Sequence, residues 1–279
     1  MPDLILNEEE QMLQTLVRDF ADRELIPRAK EADEKQEFSW ENWRGMAGLG
    51  LTGVGIDTEY GGSGPAGYRK VSIVAEEVAR GDAGASVSVL AHLSLGTNTI
   101  YRFGNEEQKC RLVPSLASGK GIAAWALTEP GGGSDAAGAM QTTARRDGDV
   151  YRLNGSKQFI TLADVCETGL LFAKTDRDAG PRGITAFIVE PQSGRGFDAT
   201  PIALAGLSRS LRSCAVHLDD FAVPVANRLG AEGEGFAIAM NALEYGRLTV
   251  SARLVGLAQA CLDEACAYAR DRVVGGRPI

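Results

Sequence analysis

The period of the apolar positions changes twice along the chain, and the two changes divide it into three blocks. In the first block the spacing is helical. Leu13, Leu16, Val17, Phe20 and Leu25 fall on one face, behind Asn7 as a cap with Glu10 three residues on. Pro27 marks a kink or the approach of an end. Ser39 starts a shorter helix that holds Trp43 and Met46, and Tyr60-Gly61-Gly62-Ser63-Gly64-Pro65 is a loop. Helical patterns follow at 71–80, 83–102 and 106–116, up to a break at Ser118-Gly119.

From Ile122 the pattern alternates. Segments 141–146 and 150–153 flank Asp147-Gly148, a hairpin signal. Asn154-Gly155 reads as a second turn, before a strand over 157–161. Further strands are predicted over 169–175, 184–190 and 214–218, and 230–235 closes the block. Beyond Gly235 the helical stripe returns, from Phe236, Met240 and Leu243 through Leu254 and Leu257 to Cys261 and Ala265. The expectation is an α+β protein: a helical domain over 1–121, an antiparallel β-sandwich or barrel over 122–233, and a helical segment over 234–279.

Composition adds limits. The 279 residues are 44% hydrophobic and 24% charged, enough for a substantial core in a soluble protein. A net charge of −8 argues against nucleic acid as the main partner, while leaving room for a local basic site for a ligand's phosphate. Cys110, Cys166, Cys214, Cys261 and Cys266 form no CxxC pair, and His92 and His217 are far apart. No metal site is expected, and the cysteines read as buried thiols. Met1-Pro2-Asp3 does not open a signal peptide, and no apolar run would span a bilayer; the expected compartment is cytoplasmic.

The candidate chemistry centres on Trp125-Ala126-Leu127-Thr128-Glu129-Pro130-Gly131-Gly132-Gly133-Ser134-Asp135, an apolar strand running into a loop. Three glycines bare the backbone so that its N–H groups can approach a ligand, and Thr128 and Ser134 add hydroxyls on either side. The glycines alone fit an ordinary turn closed by Ser134 and Asp135 equally well. The longer order, Leu-Thr-Glu-x-x-Gly-Gly-Ser-Asp ending at Gly138, resembles the first signature of the acyl-CoA dehydrogenase family, flavoenzymes that oxidise acyl thioesters. Phe103-Gly104-Asn105-Glu106-Glu107-Gln108-Lys109 also resembles that family, as does the order of the three blocks.

The resemblance implies a C-terminal helical bundle, of which 234–279 would be the start, and FAD held by the middle domain. Trp125, Leu127, Thr128, Gly133 and Ser134 would hold the flavin from the loop side. Lys157-Gln158-Phe159-Ile160-Thr161 would supply Phe159, Ile160 and Thr161 from a second strand; many members have Trp where Phe159 stands. Ser134, Glu244 and Arg247 would meet the thioester, although Glu244 and Arg247 fit a solvated i,i+3 ion pair equally well. Arg272 matches an arginine that reaches the flavin of a neighbouring subunit, with Gly275 in place of an aromatic. Glu129 would serve the loop.

The family's catalytic base is a buried carboxylate that takes the α-proton. In most members it would fall beyond Ile279; in one branch it directly precedes the arginine, where this chain has Gly246. Glu244 is about 200° round a helix from Gly246, so no base is assigned. The stripe from Phe236 would need cover from another chain, or the sequence is a fragment.

The expected activity is FAD-dependent α,β-dehydrogenation of an acyl thioester, with hydride passing to flavin N5. The acceptor is an electron-transfer flavoprotein or oxygen, and the assembly a homodimer or homotetramer. The family's usual Arg-Gly-Ser tract is replaced by Ser208-Arg209-Ser210-Leu211-Arg212-Ser213, which leaves the carrier open between CoA and an acyl carrier protein. The alternative is a truncated or degenerate member that binds flavin or a partner without catalysis.

Overall fold

The computed structural model describes residues 5–64, 67–205 and 209–279, apart from the side chain of residue 193. Met1-Pro2-Asp3, Pro65 and Ser208 lie outside the described residues.

Helix α1, Glu8–Phe20, starts at the expected cap: Glu10 N–H donates to Asn7 Oδ1 at 2.9 Å and Asn7 N–H to Glu10 Oε2 at 3.0 Å. A wide π-type turn over Ala21–Leu25 leads into α2, Ile26–Lys35. Pro27 stands at the second position of α2, directly after this wide turn. Helix α3, Trp40–Gly48, is capped by Ser39, and α4 spans Tyr68–Gly81. The predicted 83–102 helix is three pieces: α5 (Ala83–Leu90), a π-type stretch (Ala91–Thr97) and α6 (Asn98–Phe103). The wide turns at 21–25 and 91–97 leave no mark on the apolar spacing. Asn105 and Gln108 cap α7, Glu106–Ala117, in the same reciprocal way as Asn7 and Glu10.

Eight strands form one sheet: β1 (Ala123–Ala126), β2 (Thr143–Asp147), β3 (Val150–Thr161), β4 (Thr168–Lys174), β5 (Ile184–Val189), β6 (Phe197–Ile202), β7 (Ser213–Pro224) and β8 (Arg228–Leu229). Their order is β6-β7-β3-β2-β4-β5-β8, with β1 beside β4. Most pairs are antiparallel; β1–β4 and the single pair Thr143↔Lys174 are parallel. Asn154-Gly155 is a bulge within β3, where the register to β7 shifts, and no turn forms there. Gly155 has φ +149°, and a Cβ on it would meet Thr142 Oγ1 at 2.5 Å, so close packing explains the residue.

Helix α8, Gly235–Asp271, runs back over the helical block and packs on α4. A Cβ at Gly256 would lie 1.9 Å from the Glu76 carbonyl oxygen, so glycine sets that approach. Ile238, Ala239 and Ala242 are buried, while Leu254, Val255 and Leu262 are exposed. A short hairpin, β9 (Val273–Val274) with β10 (Arg277–Pro278), follows. Cys166 and Cys214 are buried as expected, but Cys110, Cys261 and Cys266 are exposed, because the helix faces that carry them pack against nothing described. None of the described helices is long and apolar enough to cross a membrane.

His92 pins the helices to the sheet. Ala123 N–H donates to its Nδ1 at 2.9 Å, which fixes the tautomer, so Nε2–H donates to the Leu116 carbonyl at 3.1 Å. Complete burial pushes its pKa from 6.5 down to about 4. The unfolded chain therefore takes the proton first as the pH falls, so this stabilisation is complete above pH 6.5 and declines towards pH 4. Denaturant midpoints of the wild type are expected to fall in that window, and His92→Gln is expected to flatten that part of the profile. Equal slopes for the two proteins would contradict the assignment.

Candidate functional site

The loop after β1 is tied to β3 by a buried ion pair. Lys157 is fully buried; its Nζ lies 2.8 Å from Glu129 Oε1 and 3.2 Å from the Leu127 carbonyl oxygen. Glu129 also accepts from Gln141 N–H at 2.6 Å and Thr142 N–H at 3.1 Å. One carboxylate thus joins the start of the glycine loop, its end and β3. Gln158 N–H donates to the Thr128 carbonyl at 2.9 Å and completes the seam. Burial pushes the Lys157 pKa from 10.5 down to about 8, with Glu129 opposing that shift. Burial raises the Glu129 carboxyl, but the Lys157 charge and the donated hydrogen bonds outweigh it and hold the group below 4.5.

Beside this seam the register of β3 shifts again between Lys157 and Ile160. Phe159 sits in the bulge with φ +60°, rare for an aromatic residue, and the residue is 58% exposed. The bulge turns a residue that would pack in a regular strand out towards solvent. Thr128, Phe159 and Thr161 therefore share one region. Leu127 and Ile160 bury their side chains in the core, which leaves only their backbone for a ligand. Trp125 is half-buried against Phe172, with ring centroids 4.6 Å apart. Gly133 and Ser134 are exposed on the loop.

Thr161 also borders an apolar cleft of about 640 Å³ between the helical block and α8. Val87, Leu90, Leu95 and Leu243 supply its apolar wall, and Gly246 and Arg247 line it from α8. Glu244 faces another hollow, with Arg102, Asn241 and Tyr245. No ion pair joins Glu244 to Arg247 among the described residues, because the two side chains leave α8 towards different hollows. Arg272 caps the far end of α8, exposed, and is not brought to the loop. Sequence reasoning assigned Lys157 and Glu129 to this tract without pairing them; nothing in the pattern distinguishes a buried lysine from a solvated one. The cleft residues Val87, Leu90 and Leu95 fall in the helical pattern over 83–102, which carries no sign of a ligand site.

The arrangement suits a flat, partly polar ring. The hydroxyls of Thr128, Ser134 and Thr161 make no side-chain hydrogen bond among the described residues. Thr128 lies against Gly133, next to Ser134, and is joined to β3 at Gln158, one residue before Phe159. FAD needs donors for its polar edge and an apolar wall for its face, so the residues present fit it.

Family models match most of the chain. The acyl-CoA dehydrogenase N-terminal domain matches residues 7–120, the middle domain 124–221 and the C-terminal domain 233–279. An acyl-CoA dehydrogenase of Bacillus subtilis is 41% identical over 277 residues, 98% of this chain and 72% of that protein. The butyryl-CoA dehydrogenase structure from Megasphaera elsdenii superposes with a TM-score of 0.94 at 37% identity, covering 99% of this chain and 72% of that one. A glutaryl-CoA dehydrogenase from Mycobacterium smegmatis in complex with FADH2 superposes with a TM-score of 0.91 at 31% identity, covering 99% and 69%. The chain belongs to the acyl-CoA dehydrogenase family, flavin oxidoreductases acting on CH–CH bonds.

Removing one member of the buried pair strands the other. Lys157→Met is expected to cost about 3–5 kcal/mol of stability, with a similar loss for Glu129→Leu and a smaller sum for the double variant. Denaturant unfolding of the four proteins checks this. Strictly additive losses would mean that the pair does not act as a unit.

Proposed function

We propose that this chain binds FAD against the loop and β3 and oxidises an acyl thioester whose acyl group lies in the apolar cleft. The observation that carries the reading is the convergence of unengaged hydroxyls, an exposed ring held out by a bulge, and an apolar cleft meeting them at Thr161. When bound, FAD supplies the two-electron acceptor for the hydride that leaves the β-carbon.

The chain's own residues bind and orient. Thr128 and Thr161 donate to the polar edge of the ring, with backbone help from Leu127 and Ile160. Phe159 and Trp125 form apolar walls, and Gly133 lets the backbone approach. Ser134 meets both flavin and carrier. Val87, Leu90, Leu95 and Leu243 desolvate the acyl chain, which selects an apolar acyl group. Arg247 lies at the cleft, and Glu244, in the neighbouring hollow, meets the carrier arm. Arg272 would reach a flavin held by a second copy in a homodimer or homotetramer. CoA or an acyl carrier protein is the carrier. The acceptor is oxygen or an electron-transfer flavoprotein; a relative from Acetobacterium woodii, 40% identical over 280 residues, is a subunit of a caffeyl-CoA reductase–Etf complex.

No carboxylate is among the described residues that line the cleft. That favours a second reading, flavin binding without turnover, and one experiment separates the two. The purified protein is expected to carry bound FAD, and the flavin absorption is expected to bleach when an apolar acyl-CoA is added without oxygen. Bound FAD that no thioester bleaches would support the second reading. No FAD binding would overturn both. Gly246→Glu places a carboxylate in the cleft once Leu95 Cδ2, 3.0 Å from an added Cβ, turns aside. Where proton removal limits the rate, bleaching is expected to quicken by about 100-fold or more. Thr161→Ala is expected to weaken FAD binding by about fivefold, checked by fluorescence titration.

A further inference from the structure

At the opposite end of β3 from Phe159, the sheet opens into a notch of about 480 Å³. Its origin is topological. β2 and β4 are neighbours at a single register pair, Thr143↔Lys174, sealed by Lys174 N–H donating to the Thr142 carbonyl at 2.8 Å. Beyond it β4 turns away, with Thr175 N–H donating to the Gly183 carbonyl at 2.9 Å. The outer edge of β2 past Thr143 then has no strand partner among the described residues, and its backbone polar groups face the opening.

Five cations line this notch: Arg145, Arg146, Arg152, Lys174 and Arg177. Arg152 is shared between Asp147 and Asp220, each at 3.5 Å. Arg146 Nε donates to the Gly148 carbonyl at 3.3 Å. Arg145, Lys174 and Arg177 have no ion-pair partner among the described residues. Glu232, the acid among the lining residues, is already engaged by the Tyr151 hydroxyl and by Arg228 at 3.7 Å. A chain of net charge −8 thus gathers positive charge in one concave place. Guanidinium groups there can fork onto phosphate oxygens, and the lysine adds a point charge. The volume lies in the range of small-molecule sites, about 300–1,000 Å³, larger than a lone phosphate fills.

We propose that this notch binds a small ligand carrying at least two phosphate groups, of nucleotide-bisphosphate size. Such a group can come from the nucleotide end of a CoA carrier or from a free nucleotide. The site stands without the thioester reading, and only the choice of source rests on it.

The test is calorimetric titration of the FAD-loaded protein at low salt with adenosine 3′,5′-bisphosphate and with pyrophosphate. Binding is expected, weakening as salt rises. R145Q/K174Q/R177Q is expected to lose at least about tenfold in affinity, since each lost charge-assisted bond is worth that order. Arg145 and Arg177 are exposed, so the fold should survive; Arg177→Gln alone, with an expected loss of severalfold, serves if the triple variant does not fold. A raised KM for acyl-CoA in the triple variant, with an unchanged KM for the matching acyl-pantetheine, assigns the notch to the carrier. An unchanged KM for both, with bisphosphate binding lost, assigns it to a free nucleotide. No binding of either probe by the wild type, or equal binding by the triple variant, would overturn the proposal whether or not any thioester bleaches the flavin.

Discussion

The ion pair between Lys157 and Glu129 holds the candidate site together. Burying both charges is expensive, and the attraction between them repays the cost only where further hydrogen bonds satisfy the remaining atoms. Here they do: two backbone N–H groups and a carbonyl complete the network. The pair fixes the entry and exit of the glycine loop to the strand that carries Phe159 and Thr161. Thr128 and Phe159, 31 positions apart, are thereby made neighbours, as the hydrogen bond from Gln158 to Thr128 shows.

A second constraint sets where that assembly faces. His92 anchors β1 to the helical block, and Gly256 lets α8 lie against α4. The cleft forms between these surfaces, so its apolar wall comes from the helical block and from Leu243 of α8, Thr161 borders it from the sheet, and Arg247 lines it from α8. Three elements distant in sequence meet there.

Much of this was legible from residues alone. Caps at Asn7 and Ser39 announced their helices because each satisfies otherwise orphaned N–H groups with a local side chain. The change to alternation at Ile122 marked the sheet. Other features depend on tertiary context. Asn154-Gly155 has turn chemistry, but its glycine is needed for contact with Thr142. Strand β6 (Phe197–Ile202) is half exposed and carries Pro201, so it does not read as a strand. Glu244 and Arg247 share a helix at ion-pair spacing, yet the surroundings draw them to separate hollows. The cations of the notch lie on β2, β3, the end of β4 and the segment after it, and the divergence of β2 from β4 brings them together.

The central claim is that the loop and the bulged strand form one seat for the flavin. Hydrogen exchange with and without FAD tests it most directly. The account predicts slowed exchange over 125–134 and 157–161 when FAD is bound, with little change at the exposed end of α8. Bound FAD that leaves both segments unprotected, or protects only other parts of the chain, would contradict it.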